Sequence, residues 1–142
     1  MPECEFPKAN ATSAEIAEIL RTTKIIAVVG LSPKPERPSY SVSAYMKDQG
    51  YTIIPVNPGQ TDILGEKAYG SLAEVPGPVD MVNIFRDAAA VPEIVDQAIA
   101  KKAKVIWMQE GIVHNAAAEK ARAAGLQVVM NKCLYKEHIQ LP

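Results

Sequence analysis

Five short segments carry residue types able to do chemistry. The longest is Gly30-Leu31-Ser32-Pro33-Lys34-Pro35-Glu36-Arg37-Pro38-Ser39. Gly30 lets backbone approach a ligand closely, Ser32 and Ser39 bring hydroxyl donors, and Lys34 and Arg37 bring charge that a phosphate can use. Pro38 or Ser39 can open a helix, whose free N–H groups and positive dipole end favour an anion such as a diphosphate. A proline-stiffened loop with solvated charges is the plainer alternative. Val56-Asn57-Pro58 offers an amide for a ribose or another amide. In Phe85-Arg86-Asp87, Phe85 either lies against a flat base or plugs the sheet edge. Arg86 either meets a phosphate or pairs with Asp87. Trp107-Met108-Gln109-Glu110-Gly111 places a polar pair before a glycine turn, with Trp107 read as core. Asn131-Lys132-Cys133 ends in a thiol that Lys132 and Lys136 would shift toward thiolate.

Several chemistries are absent from these segments. Gly30 is followed by Ser32 and by no third glycine, so the Gly-x-Gly-x-x-Gly fingerprint is missing. Asn57 stands where an NAD-binding protein normally offers Asp or Glu to the ribose hydroxyls. The two departures argue against a nicotinamide cofactor and for a nucleotide with more phosphate charge. No paired carboxylates and no Ser-His-Asp set stand out. Cys133 with His114 or His138 would make a Cys/His pair, while Cys133 and His138 alone are too few ligands for structural zinc, so no metal is expected. Glu110 is a general-base candidate whose simpler role is to begin a turn. As a free thiol, Cys133 is also an ordinary small hydrophobe at the exit of a strand. Cys4 is assigned to a mobile start of the chain.

Elements spaced along the chain must position these segments. Short apolar, β-branched-rich runs occupy Lys24 to Val29, Thr52 to Val56, Asp80 to Phe85, Val105 to Met108 and Gln127 to Met130. Successive rather than alternating apolar residues suit strands covered on both faces, hence a parallel sheet. Helical patterns lie between them: Val42, Tyr45, Met46 and Gln49, stopped by Gly50; Pro92 opening a face of Ile94, Val95, Ala98 and Ile99; and Asn115 capping Ala116 to Ala124 before Gly125. Thr12-Ser13-Ala14-Glu15 reads as a capping box for a helix over 12–22. Its narrow stripe of Ile16, Ile19 and Leu20 is expected to pack across the sheet or at a subunit contact. The stretch from Asn57 to Val79 lacks a long amphipathic helix; Lys67-Ala68-Tyr69 reads as a short edge strand and Ser71 to Val75 as one helical turn. The expected fold is α/β: a Rossmann-type, doubly wound, mostly parallel sheet of five to six strands in the order 3-2-1-4-5-6. The ligand crevice then opens at the carboxyl ends of the first and fourth strands, where the order reverses.

The 142 residues suit one domain spanning 1–142, with 1–11 expected to be flexible. Lys plus Arg is 15 and Asp plus Glu is 16, a formal charge of −1 that leaves no cationic excess for nucleic acid. No apolar run approaches membrane-spanning length, and the acidic Met-Pro-Glu-Cys-Glu start does not read as a signal peptide. Two cysteines make no disulfide framework and suggest a reducing compartment, with the cytoplasm as default. A monomer or small homo-oligomer is expected.

Taken in order, Val29-Gly30-Leu31-Ser32, Arg37-Pro38-Ser39, Gly50-Tyr51, Pro55-Val56-Asn57-Pro58, Gly65-Glu66-Lys67, Gln109-Glu110-Gly111 and Asn131-Lys132-Cys133 resemble the CoA-binding domain family of small bacterial and archaeal proteins. That family is related to the amino-terminal domain of the succinyl-CoA synthetase α subunit. The resemblance spans about residues 20 to 138. It implies a Rossmann-type domain that binds coenzyme A or an acyl-CoA. Gly30, Leu31 and Ser32 would serve the diphosphate, with Lys34, Arg37 and Ser39 nearby. Asn57 and Pro58 would line the adenosine side, and Phe85 and Arg86 would stand where the synthetase domain has an apolar-Pro segment near adenine. Gln109 and Gly111 would lie along the pantetheine arm, and Asn131 and Cys133 at its end, where a Cys133–CoA disulfide is conceivable. The synthetase's catalytic domains and phosphohistidine chemistry have no counterpart in this chain. A non-catalytic carrier, sensor or accessory protein therefore leads. A small CoA-dependent enzyme or redox protein using Cys133 and an NAD- or FAD-sensing domain are the alternatives.

Overall fold

The computed structural model describes residues 6–142. Five parallel strands form the sheet: β1 (Ile25–Val29), β2 (Thr52–Val56), β5 (Met81–Ile84), β6 (Val105–Met108) and β7 (Gln127–Val129), in the order β2-β1-β5-β6-β7. Ile26 pairs with Ile53 on one side and Met81 on the other, which fixes the register of the central strand. β5 and β6 are buried at every position, as two-sided coverage requires.

The expected strand order holds, with its third member reduced. Residues 62–67 form their own two-stranded antiparallel hairpin, β3 (Asp62–Ile63) with β4 (Glu66–Lys67). Lys67 is thereby taken from the anticipated edge strand, and only Tyr69 bridges in parallel to Val56. Leu64 and Gly65 turn the hairpin with positive φ. The single helical turn follows as a 3-10 segment, Leu72–Glu74.

Helices α1 (Ser13–Thr22), α2 (Pro38–Asp48) and the short α5 (Leu134–His138) cover one face of the sheet; α3 (Val91–Ala100) and α4 (Asn115–Ala123) cover the other. α1 carries the capping box: Thr12 accepts from the Glu15 N–H, and Glu15 accepts from the Thr12 N–H at 2.8 Å. Its stripe of Ile16, Ile19 and Leu20 packs in the same core cluster as Ile26, Val28, Trp107 and Val129, so it lies across the sheet. The second cluster is built from Val82, Ile84 and Ile106 against Ile94, Val95, Ala118 and Ala121.

One cap differs from expectation. α4 is capped by His114, whose Nδ1 accepts from the Ala117 N–H, and Asn115 is already inside the helix. The Asn115 side chain is directed elsewhere: it accepts from the Lys8 N–H and donates to the Phe6 carbonyl. Asn10 likewise exchanges two bonds with the Met130 backbone. Cys4, with the rest of the first five residues, lies outside the described residues.

Candidate functional site

The carboxyl ends of β1, β2 and β5 meet around Gly30. The Gly30 N–H donates to Val56 and the Phe85 N–H to Val29, so the three strand ends are locked together at 2.9 Å each. Gly30 has φ +92, and a Cβ there would lie 2.5 Å from the Phe85 carbonyl oxygen and 3.1 Å from Arg86 Cδ. The glycine is thus demanded first by the protein's own backbone, and only then by room for a ligand.

Three cavities adjoin along this edge through shared residues. The first, about 440 Å³, is bordered by Gly30, Asn57, Pro58, Ser71, Phe85 and Arg86, with Glu93 and Gln97 from α3. The second, about 390 Å³, runs between Pro38, Val42, Phe85, Arg86, Gln109, Glu110, Ile112 and Cys133. A third of about 270 Å³ is formed by Gly30, Ser32, Lys34, Arg37, Pro38, Ser39 and Phe85. Gly30 and Phe85 are common to the first and third, Phe85 and Arg86 to the first and second, and Pro38 and Phe85 to the second and third. Gly30 and Asn57 thus line one cavity, and Cys133 lines its neighbour across the shared Phe85 and Arg86.

The loop after β1 is held partly by itself. Ser39 Oγ accepts from the Ser32 N–H at 3.0 Å, and Ser32 Oγ accepts from the Lys34 N–H at 3.1 Å. The Arg37 N–H likewise donates to the Lys34 carbonyl at 3.0 Å, so the expectation of free amides along this loop is corrected at those three positions, because a proline-rich connection needs internal bonds to keep its shape. Both hydroxyls keep an O–H to donate. α2 begins with Pro38 and has no side-chain cap, so its positive end faces the third cavity without an internal carboxylate. No ion pair among the described residues engages Lys34, Arg37 or Arg86.

Other anticipated residues sort by position. Leu31 is fully buried, so its side chain belongs to the core and its carbonyl accepts from Asn57 Nδ2 at 2.8 Å. Gly111 and Asn131 border none of the three cavities; the Gly111 N–H donates to Asn131 Oδ1 at 2.7 Å and ties the two rim loops together. Trp107 is core, its Nε1 donating to the Lys132 carbonyl. Neither histidine joins Cys133. His114 caps α4, and His138 accepts or donates through Nδ1 with the Tyr45 hydroxyl at 2.8 Å, beside Thr23 and Gly50 at the amino ends of the strands. Burial holds the His138 imidazole below its usual range. Lys136 lies beside the mouth of the second cavity, where its bond to Glu110 at 2.9 Å raises its ammonium above the usual lysine range. Sequence reasoning passed over Ser71, Glu93 and Gln97, which line the first cavity from a turn and a helix face. It also passed over Asn83, a polar residue in a buried strand.

A doubly wound parallel sheet with cavities and unpaired cations at its switch point defines a Rossmann-type α/β domain. The chain belongs to the CoA binding domain family, whose model matches residues 24–139. It is 44% identical over 129 residues to an uncharacterised protein, YneT, of Bacillus subtilis (strain 168), covering 91% of this chain and 96% of that one. A solved structure of a hypothetical protein from Pyrococcus horikoshii OT3 superposes with a TM-score of 0.90 at 41% identity, covering 99% of each chain. The alpha subunit of an ADP-forming acetate–CoA ligase I from Pyrococcus furiosus is 36% identical over 95 residues, which is 63% of this chain but 21% of that subunit. The match to the ligase subunit is therefore confined to about a fifth of its length.

Proposed function

We propose that the protein binds coenzyme A or an acyl-CoA along the carboxyl edge of the sheet, as a non-catalytic carrier, sensor or accessory protein of the cytoplasm. The observation that carries this reading is the row of adjoining cavities from Asn57 past Gly30 to Cys133, with Lys34, Arg37 and Arg86 in no ion pair along it. The adenosine takes the cavity beside Asn57 and Pro58. The diphosphate lies over Gly30 and Ser32, against the α2 end and the Lys34 and Arg37 side chains. Arg86, common to two cavities, reaches either phosphate group. The pantetheine arm runs past Gln109 toward Cys133, with Gly111 and Asn131 holding the rim behind it. Named relatives of known activity are ligases that act on CoA, and this chain corresponds to a fifth of one of them, so ligase chemistry is not carried over.

A thermal-shift panel tests the reading. CoA at 100 times its dissociation constant should stabilise the fold by about 2.7 kcal/mol, while NAD and FAD leave the midpoint unchanged. A clear shift with NAD and none with CoA would replace it with the dinucleotide-sensing alternative.

The place of Cys133 on the second cavity favours one further reading, a thiol exchange at the end of the arm. The Cys133 thiolate would attack a CoA disulfide, join one CoA through a new S–S bond and release the other half as a thiolate. Intact-mass analysis after exposure to oxidised CoA, with Cys133→Ser as control, should show one CoA added to the wild-type chain only. Equal masses would leave Cys133 as packing.

A further inference from the structure

Asn83 interrupts a strand that is otherwise apolar. All four residues of β5, Met81-Val82-Asn83-Ile84, are buried, and Asn83 is 1% exposed between its register partners Val28 and Trp107. Its Oδ1 accepts from Gln109 Nε2 at 2.8 Å, while its Nδ2 has no partner. The same core layer holds the other unpartnered buried polar atom among the described residues, Ser43 Oγ on α2. A valine at position 83 would spare the fold the orphaned Nδ2 but take from the nearly buried Gln109 Nε2 its partner, so what the asparagine does for the fold runs through Gln109. Asn83 borders none of the three cavities, whereas Gln109 does, although only 4% exposed. A glutamine amide turns freely about its last torsion and can present either N–H or C=O. The bond from Nε2 to Asn83 removes that freedom and leaves Gln109 Oε1 and its second N–H for the cavity.

We propose that Asn83 is a positioning residue for ligand specificity: it fixes the Gln109 amide in the orientation that meets an amide of the pantetheine arm. This rests on the CoA reading above and adds to it where discrimination of the arm is built. On that reading the phosphate-bearing headpiece lies in the first and third cavities, which Gln109 does not border, so the Asn83–Gln109 pair acts on the arm alone. The two buried amides behave as one unit, and loss of either has the same consequence.

The test is calorimetric titration of the full chain with CoA and with adenosine 3′,5′-bisphosphate, which lacks the arm. Asn83→Val should weaken CoA about tenfold, the scale of one lost ligand hydrogen bond, and leave the bisphosphate unchanged. Gln109→Ala should do the same, and the double variant should bind CoA no more weakly than Gln109→Ala alone. The bisphosphate affinity of Asn83→Val should stay at the wild-type value whatever its melting midpoint, an outcome a merely structural role would not give. If Asn83→Val does not fold, Asn83→Ala supplies the same comparison from a less stable chain. Wild-type CoA affinity in the variant, equal losses for both ligands, or losses that multiply in the double variant would each overturn the proposal. A wild-type chain that binds the bisphosphate but gains nothing from the arm would also overturn it while leaving the headpiece site standing. One that binds neither ligand would remove the CoA reading itself, and this role with it.

Discussion

At the amino ends of the strands, Asp80 accepts from the Ile25 N–H at 2.9 Å and the Lys24 N–H at 3.0 Å, and Lys104 stands 3.6 Å away. Lys101 donates there to the Val75 and Gly77 carbonyls, and the Tyr51 hydroxyl to Leu20. At the carboxyl ends, Lys34, Arg37 and Arg86 pair with no carboxylate among the described residues and border open cavities. Asp80 and Lys101 are held within the chain at one edge, whereas Lys34, Arg37 and Arg86 are left for something outside it at the other. The difference teaches where to look for binding in a chain that is nearly neutral overall. The unpaired cations at the switch point are informative because they border the adjoining cavities at the strand ends.

Glycine substitutions break the comparison hardest. Gly30→Ala meets both a positive φ and the Phe85 carbonyl, and should cost about 3 kcal/mol or prevent folding. Gly125→Ala, at φ +94 near the amino edge with nothing within 4 Å, should cost about 1 kcal/mol. Urea denaturation of the two variants measures the gap, and equal losses would mean that the strand ends around Gly30 are less tightly locked than described.

Asp80 gives the next effect. Burial pushes its carboxyl up, but the Ile25 and Lys24 N–H groups, aided by Lys104, outweigh that and hold it below the usual range. A depressed folded value means that its contribution is complete above the unfolded carboxylate value of about 3.9 and is lost as pH falls through the folded value. Asp80→Asn should therefore lower stability by about 2 kcal/mol at pH 7, the scale of bonds to a charged acceptor. The deficit should shrink progressively below about pH 3.9, as read from denaturation midpoints across pH.

Arg86→Ala sharpens the carboxyl side. It should weaken CoA about tenfold, or 1.4 kcal/mol, and flatten the salt dependence of binding while leaving the melting midpoint of the free protein within a degree or so of wild type. The smallest effect belongs to Lys120→Met. Its pair with Asp96 is 2.6 Å long but exposed, so stability should change by less than about 0.5 kcal/mol and CoA affinity not at all.

Legibility in the sequence followed the strength of local signals. Runs such as Ile25 to Val29 and Val105 to Met108 could hardly be anything but buried strands, and the capping box at Thr12 fixed α1 within a residue. Where two residues compete for one job, sequence cannot arbitrate. His114 took the cap that Asn115 was expected to fill, because Asn115 is drawn to the Lys8 and Phe6 backbone far away in the chain. The hairpin at residues 62–67 depends on a turn at Leu64 and Gly65, which drew Lys67 away from β2. In the groove, Gly30, Asn57, Arg86 and Cys133 were readable from their places after strands. The inward turn of Leu31 and the mutual bonds of Ser32 and Ser39 were not, since both depend on how the loop folds over the sheet. Asn83 was legible in principle: a lone amide in Met-Val-Asn-Ile breaks an apolar pattern and asks for a reason.

Amide chemical-shift mapping of the labelled protein during a CoA titration tests the central claim most directly. Binding at the carboxyl edge predicts saturable shifts at Gly30, Ser32, Asn57, Arg86 and Gln109, with Ile25, Asp80 and Lys104 unmoved. Shifts concentrated at the amino edge, or none at CoA concentrations where the headpiece cations should be filled, would contradict it.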